Sequence, residues 1–466
     1  MSKPPASNTS PSVDKQRRRI PRLETEDLSS ERHEPLVRAS FVGICQFSIS
    51  SMKSPRRAAV SILRAWSKGH VYAESLIERH ASRNSLSSAD RALLNAIVLG
   101  VLRNLRLLDH WIAELRKGKL DDETRDILRV GLCQLLILRL PDHAAVFETV
   151  ELGKSGVRGL INAVLRRAIA TRKKLYDFEN VAPEILHSHP DWLFKRWKKA
   201  FGKEDAVALM DFNNSPAPTF ARINPLAPGA AAPKHAASSE LPTGFYEIDG
   251  PIPTDLLAKG EIYIQDPATH HAVKLLAPRP GEKVLDACAA PGGKAFLIAS
   301  AQGSAKDLLC TDSNDKRLPR LQGNLERLHC AEASIEVHDW SQPAPEKWRG
   351  AFDAILLDVP CSNTGVFRRR VDVRWRLRPA DISELIKLQR QILENALPCL
   401  KPGGRIVYST CSIEPQENAE LIAAFLADHP EFELTASHQA LPQRDQSDGA
   451  YAALLQKANL AAPAEN

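Results

Sequence analysis

The chain has 466 residues and a formal net charge of +6, with 43% hydrophobic and 25% charged residues, as in many soluble globular proteins. No apolar run approaches the ~18 residues that a membrane-spanning helix needs, so we expect no membrane association. The eight cysteines form neither a C-x-x-C motif nor a Cys/His cluster, which argues against a zinc ribbon or a disulfide scaffold, and we expect no metal ion.

The positive charge is concentrated in the first half of the chain. Residues 52–199 carry 27 bases and 16 acids, whereas residues 200–466 carry 27 bases and 34 acids. A basic region beside a mildly acidic one is typical of a protein whose first part binds a polyanion. The alternative is a helical surface whose basic side chains are only solvated.

Residues 1–51 are rich in Ser, Pro and Arg and have no sustained apolar period, so we predict a disordered extension. They lack the apolar segment of a secretory signal, and their six acids argue against a transit peptide. Free thiols suit a reducing compartment, and we therefore expect a cytoplasmic location. A second short disordered tail is expected at residues 458–466.

The pattern of residues 52–175 is helical. Ser87 and Asp90 form a helix start signal, and apolar residues then recur with a period near 3.6 from Leu94 to Ile112. A second helix is predicted from Asp121 to Leu138, and a third carries the apolar residues of 160–169. The apolar stripes predict an all-α bundle.

The last of these helices carries a basic run from Arg158 to Lys174 that contains no acid. Such a run can neutralise several phosphates of a nucleic acid. The candidates for binding such a nucleic acid are Arg166, Arg167, Lys173 and Lys174.

Residues 176–262 are predicted to be a connector, helical at first, followed by a small subdomain. Between Trp192 and Lys199 aromatic and basic residues interleave. The aromatic rings there either stack on single-stranded bases or pack into a domain junction. The Pro- and Ala-rich stretch 226–241 is predicted to be a loop.

Residues 263–457 alternate short strands with helices. This order is typical of an α/β domain with a parallel sheet covered on both faces, whose ligands bind at the carboxyl ends of the strands. The predicted helices include 316–328 and 381–397, and the predicted strands are 283–287, 307–311, 334–337, 354–358 and 405–409.

A glycine-rich turn follows the first of these strands. Its sequence allows close approach of backbone to a ligand, but it is neither G-x-G-x-x-G nor a P-loop, which disfavours a dinucleotide and a nucleoside triphosphate. Asp312 and Asp339 end the next two strands, where a carboxylate suits ribose hydroxyls or an adenine edge. Each acid alone could only cap a helix, but three strand-end acids in register with the loop, Asp286, Asp312 and Asp339, favour a nucleoside cofactor. Its candidate binding residues are Asp312, Asp339 and the loop residues Cys288, Ala289, Ala290, Pro291, Gly292, Gly293 and Lys294.

Two cysteines lie at the ends of the fourth and fifth strands. Cys361 follows Asp358 in the sequence D-V-P-C-S, and Cys411 lies in S-T-C-S. A thiolate that adds to C6 of a pyrimidine makes C5 nucleophilic enough to take a methyl group, which is covalent catalysis. The alternative is that both cysteines are small buried apolar residues.

These motifs, D-A-C-A-A-P-G-G-K, D-V-P-C-S-N-T-G and Y-S-T-C-S-I-E-P-Q-E-N, resemble the RNA cytosine-C5 methyltransferases of the NOL/NOP/Sun group. The resemblance implies S-adenosylmethionine as cofactor and a Rossmann-like methyltransferase fold. It also implies that Cys411 is the nucleophile, that Cys361 assists product release and that Asp358 holds both cytosine and cofactor. Lys294 is expected to be a structural or electrostatic support.

The helical part is similar to the NusB-like RNA-binding domain found in bacterial members that modify 16S rRNA. Its matching stretches include G-L-C-Q-L-L and G-L-I-N-A-V-L-R-R. The resemblance implies methylation of C5 of a cytosine in 16S rRNA, and we expect a monomer. The alternatives are the same reaction on tRNA, or a non-catalytic RNA-binding factor that uses the NusB-like part alone.

A basic loop directly follows the D-V-P-C-S motif. RNA phosphates and a stacked base are natural partners for its arginines and for Phe367 and Trp375. The loop arginines predicted to bind RNA are Arg368, Arg369, Arg370 and Arg374.

Overall fold

A computed structural model describes residues 54–69, 71–229 and 241–457. The predicted extension 1–51, the predicted tail 458–466 and most of the predicted loop 226–241 lie outside the described residues. No helix in the described ranges is both long and apolar enough to cross a membrane.

The N-terminal part is all-α, as predicted. The start signal is confirmed, because the Ser87 side chain accepts a hydrogen bond from the backbone of Asp90 and caps the third helix. The helices are α1 (Pro55–Lys68), α2 (Ala73–Arg83), α3 (Ser88–Arg103), α4 (Leu105–Leu115), α5 (Asp122–Leu132), α6 (Asp142–Val150), α7 (Ser155–Ala170) and α8 (Arg172–Leu175).

The apolar period that runs from Leu94 to Ile112 is divided between two helices. The break is at Asn104, whose side-chain amide donates to the Gly100 carbonyl at 2.9 Å. An asparagine side chain that bonds nearby backbone competes with helix propagation, which explains why one period yields two helices.

A helical connector leads to a small antiparallel sheet with strand order β2-β1-β3. A small subdomain was expected here, but these strands were not predicted. The connector helices are α9 (Pro183–Leu186), α10 (Asp191–Phe201) and α11 (Lys203–Asn214), and the subdomain contains β1 (Phe220–Ile223), β2 (Phe245–Glu247), α12 (Thr254–Ala258) and β3 (Ile262–Ile264).

The C-terminal part is an α/β domain with a seven-stranded sheet of order β6-β5-β4-β7-β8-β10-β9. Its helices are α13 (His270–Leu276), α14 (Gly293–Gln302), α15 (Leu318–Arg327), α16 (Val373–Arg376), α17 (Pro379–Ala396), α18 (Ala419–Asp428) and α19 (Pro442–Asp445). Its strands are β4 (Val284–Asp286), β5 (Leu308–Asp312), β6 (Ser334–Val337), β7 (Phe352–Asp358), β8 (Leu400–Thr410), β9 (Phe432–Ala440) and β10 (Ala450–Lys457).

The five predicted strands are present as β4 to β8 and pair in parallel. The last two strands were not predicted, and they add to the sheet in antiparallel orientation. Along β7 the side chains alternate between two apolar cores, with Leu356 in one and Ile355 and Leu357 in the other. Each such burial contributes roughly 1.5–3 kcal/mol, so the sheet is a rigid support for the loops at its edge.

The loop after β7 joins the α/β domain to the helical domain. The Trp375 indole donates to the Leu102 carbonyl at 2.8 Å, and Arg376 donates to the carbonyls of Gly69 and Val71, each at 2.7 Å. These carbonyls lie at or just beyond the ends of helices, where backbone acceptors lack partners within the helix. The predicted RNA-binding loop therefore also forms the junction between the two domains.

Candidate active site

The two predicted catalytic cysteines meet at the carboxyl end of the parallel sheet. Strands β7 and β8 pair so that Asp358 lies opposite Ser409. Cys361 comes three residues after Asp358, and Cys411 comes two residues after Ser409. As a result the Cys361 and Cys411 sulfurs are 3.1 Å apart. The structure thus brings together two thiols that the sequence placed only on neighbouring strand ends.

A glycine permits this approach of the two loops. The Gly365 amide donates to the Cys411 carbonyl at 3.0 Å. A Cβ atom at position 365 would lie 2.7 Å from that carbonyl oxygen and 2.6 Å from the Gly449 oxygen. A larger residue would push the loops apart, which explains the glycine at this place in the D-V-P-C-S-N-T-G motif.

The two thiols have different surroundings. The hydrogen bond with Cys411, burial and the negative charge of Glu417 all raise the pKa of the Cys361 thiol well above its ordinary value. Cys411 is partly exposed, and its thiol donates to the Asn363 side-chain oxygen at 3.3 Å. Cys361 is therefore held as a neutral thiol, while Cys411 is the cysteine that a substrate can reach.

Asp358 and Lys294 form an ion pair of 2.7 Å beside the cysteines. Burial alone would lower the pKa of Lys294, but the charge of Asp358 and its hydrogen bond outweigh burial and raise it. Lys294 is therefore held as a cation paired with Asp358, and its supporting role in the site stays a prediction.

A cavity of about 190 Å³ lies next to this ion pair. Most of the glycine-rich loop lines it, whereas Gly292 takes the left-handed conformation, with φ of +106°, that turns the loop into helix α14. The lining residues are Tyr263, Gln265, Thr269, Asp286, Cys288, Ala289, Ala290, Pro291, Gly293, Lys294 and Asp358.

Asp286, the last residue of β4, was not among the residues predicted to bind the cofactor. Asp286 is fully buried on the cavity wall, and neither carboxylate oxygen has a hydrogen-bond partner among the described residues. Burial first, and the charges of Asp358 and Asp312 second, raise its pKa to about 8. An unpaired buried acid fits a cationic ligand, such as the sulfonium and ammonium groups of S-adenosylmethionine. Its position at a strand end directly before the loop was the available signal.

Asp312 and Asp339 lie at the same sheet edge but are not among the residues that line the cavity. Asp312 is buried, accepts a hydrogen bond from the Ala290 amide and pairs with Arg317 at 3.1 Å, so it supports the glycine-rich loop. Asp339 is exposed and accepts from the Ser341 amide at 2.9 Å. Contact of these acids with the cofactor stays a prediction.

The four arginines predicted to bind RNA in the loop after β7 have different environments. The prediction for Arg374 is wrong, because this side chain is fully buried and donates to the Asn214 side chain and to the Asn213 and Phe367 carbonyls.

The other three arginines keep some exposure. Arg369 bridges Asp266 and Asp448 at 2.8 and 2.7 Å, so its charge is already paired. Arg368 donates to the Pro216 carbonyl and is partly buried. Arg370 is exposed and makes one long contact to Asn363, which leaves it the best placed of the four to contact RNA.

The basic run on α7 and α8 remains a candidate RNA surface. Arg166, Arg167, Lys173 and Lys174 are all exposed. Arg167 also donates to the Leu115 carbonyl at 3.0 Å. The run is thus a cluster of accessible cations at the end of one helix and the start of the next.

Of the two interpretations of the Trp192–Lys199 segment, packing into the junction applies to Trp197. This indole is fully buried, donates to Glu414 at 2.9 Å and lies 5.9 Å from the Phe367 ring. It is therefore not available for stacking on a base.

Comparison with known proteins assigns the family. A family model described as 16S rRNA methyltransferase RsmB/F matches residues 273–456, the NusB family matches 53–170, and an RsmF/B-like ferredoxin-like domain matches 189–231. Ribosomal RNA small subunit methyltransferase B of Citrobacter koseri is 37% identical over 80% of this chain and 93% of its own. The chain belongs to the RsmB/F methyltransferase family.

Other relatives agree with this assignment. The protein of the same name from Yersinia pestis is 38% identical over 80% of this chain and 92% of its own. The crystal structure of PH0851 superposes with a TM-score of 0.69 and 25% identity, covering 88% of this chain and all of that one. The predicted fold, a NusB-like helical domain followed by a Rossmann-like methyltransferase domain, is confirmed, and S-adenosylmethionine is the cofactor of this family.

Proposed function

We propose that this protein methylates C5 of a cytosine in 16S rRNA, with S-adenosylmethionine as methyl donor and Cys411 as nucleophile. The observation that carries the proposal is the pair of thiols 3.1 Å apart beside a cavity lined by the glycine-rich loop. An amine or hydroxyl methyltransferase has no need of a thiol, whereas carbon methylation of cytosine needs one to activate the ring.

Cys411 starts the reaction as a thiolate that adds to C6 of the cytosine, which turns C5 into an enamine-like carbon. S-adenosylmethionine, held by the residues that line the cavity, would supply the methyl group as a sulfonium substituent for this carbon. A base then removes the C5 proton, and the Cys411 sulfur leaves C6 with its bonding electrons. Cys411 is the partly exposed member of the pair, which suits this role.

Cys361 is placed to assist the last step. Because its pKa is raised, it remains a thiol and can donate a hydrogen bond to the Cys411 sulfur 3.1 Å away. That hydrogen bond stabilises the departing thiolate and so favours release of the methylated RNA.

Asp358, fixed by Lys294, holds the cytosine and the cofactor in this proposal. Asp286 faces the cationic part of the cofactor, which relieves the cost of its own burial. Asp312 and Asp339 complete the site by contacting the nucleoside. The assignments of Asp358 and Asp286 rest on the cavity lining, and those of Asp312 and Asp339 rest on their positions at and just beyond the ends of β5 and β6.

The RNA is held by the exposed cations of α7 and α8 and by Arg370 at the active edge. The names of the curated relatives favour small-subunit rRNA over tRNA as substrate. The intact cysteine pair disfavours a non-catalytic RNA-binding factor. A cytoplasmic monomer remains our prediction for the assembled protein.

Bisulfite sequencing tests the proposal, applied to 16S rRNA and tRNA from cells with the gene, without it, and with the Cys411→Ala variant. We expect one cytosine of 16S rRNA to lose protection both without the gene and in the variant. Loss of protection at a tRNA cytosine instead would identify tRNA as the substrate. Unchanged protection in all RNA would overturn the proposal.

A further inference from the structure

A single buried carboxylate, Glu417, connects the two cysteine loops. One of its oxygens accepts from the Ser362 amide at 2.9 Å and from the Gln389 side chain at 2.8 Å. The other accepts from the Ser412 hydroxyl at 2.5 Å and from the Ser362 hydroxyl. Glu417 itself has no exposed surface.

Two of the hydrogen-bond partners of Glu417 lie next to the two cysteines in the chain. Ser362 directly follows Cys361, and Ser412 directly follows Cys411. The same carboxylate therefore binds the residue next to each catalytic sulfur. The two serine hydroxyls also lie 3.0 Å from one another, so they form one network with the carboxylate.

The chemistry of this network is unusual for a buried acid. All four donors are neutral groups, so the carboxylate is stabilised by hydrogen bonds and not by an ion pair within that set. A buried carboxylate is costly, and an acceptor with several lone pairs can join donors from separate segments. Leu or Gln at this position would fill space, but neither could accept from both loops with both oxygens.

We propose that Glu417 is a positioning residue for the proposed methyl transfer: its carboxylate fixes the Cys361 and Cys411 loops in register, so that the two sulfurs face one another at the cytosine site. The catalytic role of Glu417 rests on the proposed function, whereas its alignment of the two loops rests on the observed geometry alone. The negative charge of Glu417 also contributes to the raised pKa of Cys361, which keeps that thiol protonated.

The register can be measured without RNA or cofactor. Diamide takes up two electrons and two protons when two adjacent thiols join as a disulfide, so the rate of Cys361–Cys411 linkage reports their proximity. We compare the full-length protein with Glu417→Gln, which keeps the shape but replaces one of the two acceptor oxygens by an amide donor and removes the charge. The matched control is Glu420→Gln, an exposed glutamate three residues further on.

Peptide mapping by mass spectrometry follows the linked pair over time. Loss of the Glu417 charge would by itself ease ionisation of Cys361 and speed linkage, so slower linkage reports lost register. We expect wild type and Glu420→Gln to link at the same rate, and Glu417→Gln to link about tenfold more slowly. Equal rates in all three proteins would overturn the proposal. Should Glu417→Gln fail to fold, Ser412→Ala, which removes one donor from the network, serves in its place with a smaller expected slowing.

A double-mutant cycle separates register from general packing. If Glu417 acts through the Ser412 hydroxyl, Ser412→Ala should slow single-turnover methyl transfer. The double variant with Glu417→Gln should then be slowed by much less than the product of the two single-variant factors. Cofactor affinity should stay unchanged throughout. Independent multiplicative effects, or a loss of cofactor binding, would contradict a positioning role.

The two proposals fail in different ways. If wild type forms the disulfide rapidly but transfers no methyl group to RNA, the proposed function fails and the register remains. If wild type methylates normally and Glu417→Gln matches it in linkage and turnover, the positioning role fails and the proposed function remains.

Discussion

The sulfur atoms of Cys361 and Cys411 lie 3.1 Å apart although 50 residues separate them in the chain. Parallel pairing of β7 with β8 delivers them to one edge, and the environments of the two thiols then differ. Because Cys361 is held as a thiol and Cys411 is accessible, each can take a separate part in one reaction cycle.

Replacing Cys411 by alanine should abolish methylation while cofactor binding persists. The attacking thiolate is lost, but the cavity is lined by the glycine-rich loop and by Asp286 and Asp358. Single-turnover assays with labelled S-adenosylmethionine and equilibrium binding of the cofactor check both parts. Activity near the wild-type level would remove Cys411 as the nucleophile.

Replacing Cys361 by alanine should trap a covalent complex between enzyme and RNA through Cys411. Without the neighbouring thiol, the departing Cys411 sulfur loses its hydrogen-bond donor, so the adduct persists. A slow band on a denaturing gel that disappears after RNase treatment is the expected signature. The double variant Cys361→Ala/Cys411→Ala is the control and should give no band. Normal turnover without a trapped species would exclude Cys361 from the mechanism.

Replacing Asp286 by asparagine should stabilise the cofactor-free protein and weaken cofactor binding. The ordinary pKa of this acid is 3.8 and its folded value is about 8, so the folded protein binds a proton more tightly than the unfolded chain does. Its contribution to stability is thus full below about pH 4 and is lost as the pH rises towards 8. The asparagine variant avoids this loss.

The gain in the free energy of unfolding caused by Asp286→Asn should therefore grow between pH 5 and pH 8. It should reach on the order of a few kcal/mol, or roughly 5 °C in melting temperature. Cofactor affinity should fall about tenfold, because the anion that faces the cationic ligand is gone. Thermal melts over this pH range and calorimetric titration measure the two effects. A variant that melts lower at pH 8 would contradict the raised pKa.

Arg370 and Arg374 should respond to alanine substitution in opposite ways. Arg370→Ala should leave the melting temperature unchanged but weaken RNA binding severalfold. It should also reduce the slope of log affinity against log salt concentration by about one. Arg374→Ala should cost roughly 3 kcal/mol or more, because the acceptors around this buried guanidinium lose their donor. Filter binding at several salt concentrations, together with thermal melts, distinguishes the two. Reversed results would restore Arg374 as an RNA contact.

Charge reversal on the basic helical surface should weaken RNA binding and flatten its salt dependence. Each phosphate that a cation neutralises releases counterions, so affinity falls steeply between about 50 and 200 mM salt. In the full chain, Arg166 and Lys173 are changed to glutamate, and exposed Lys259 and Lys306 are changed as a control pair. Equal losses in both variants would mean that net charge matters and this surface does not. Cofactor binding should be intact in both.

Local patterns were enough to predict the central strands and the glycine-rich turn. The predicted parts of β4, β5, β7 and β8 contain short apolar runs, and β6 alternates polar and apolar residues, so that each has a recognisable pattern. Strands β1 and β2 were missed because they have only three or four residues and pair across more than 20 residues, so that little local pattern distinguishes them. Such strands exist only through their tertiary partners.

The site was predicted where chemistry depends on residue type and was missed where it depends on burial. The paired cysteines follow from their strand-end positions, whereas the unpaired carboxylate of Asp286 is visible only once its surroundings are known. Arg374 was assigned to RNA because a run of arginines looks accessible in sequence. Its burial against Phe367 depends on the packing of the connector helices, and this packing cannot be predicted from the number of charges in the sequence.

The junction formed by the loop after β7 has a consequence for dividing the protein. Trp375 and Arg376 find acceptors on the helical domain, and the Asp372 carboxylate accepts from the Ala73 amide at 2.7 Å. A fragment that begins after the helical domain would expose the Trp375 indole and leave Asp372 without this donor. The loop that carries both residues begins directly after Cys361 in the chain. The two halves, produced as separate chains, should therefore recover activity on mixing more readily than the catalytic half retains it alone.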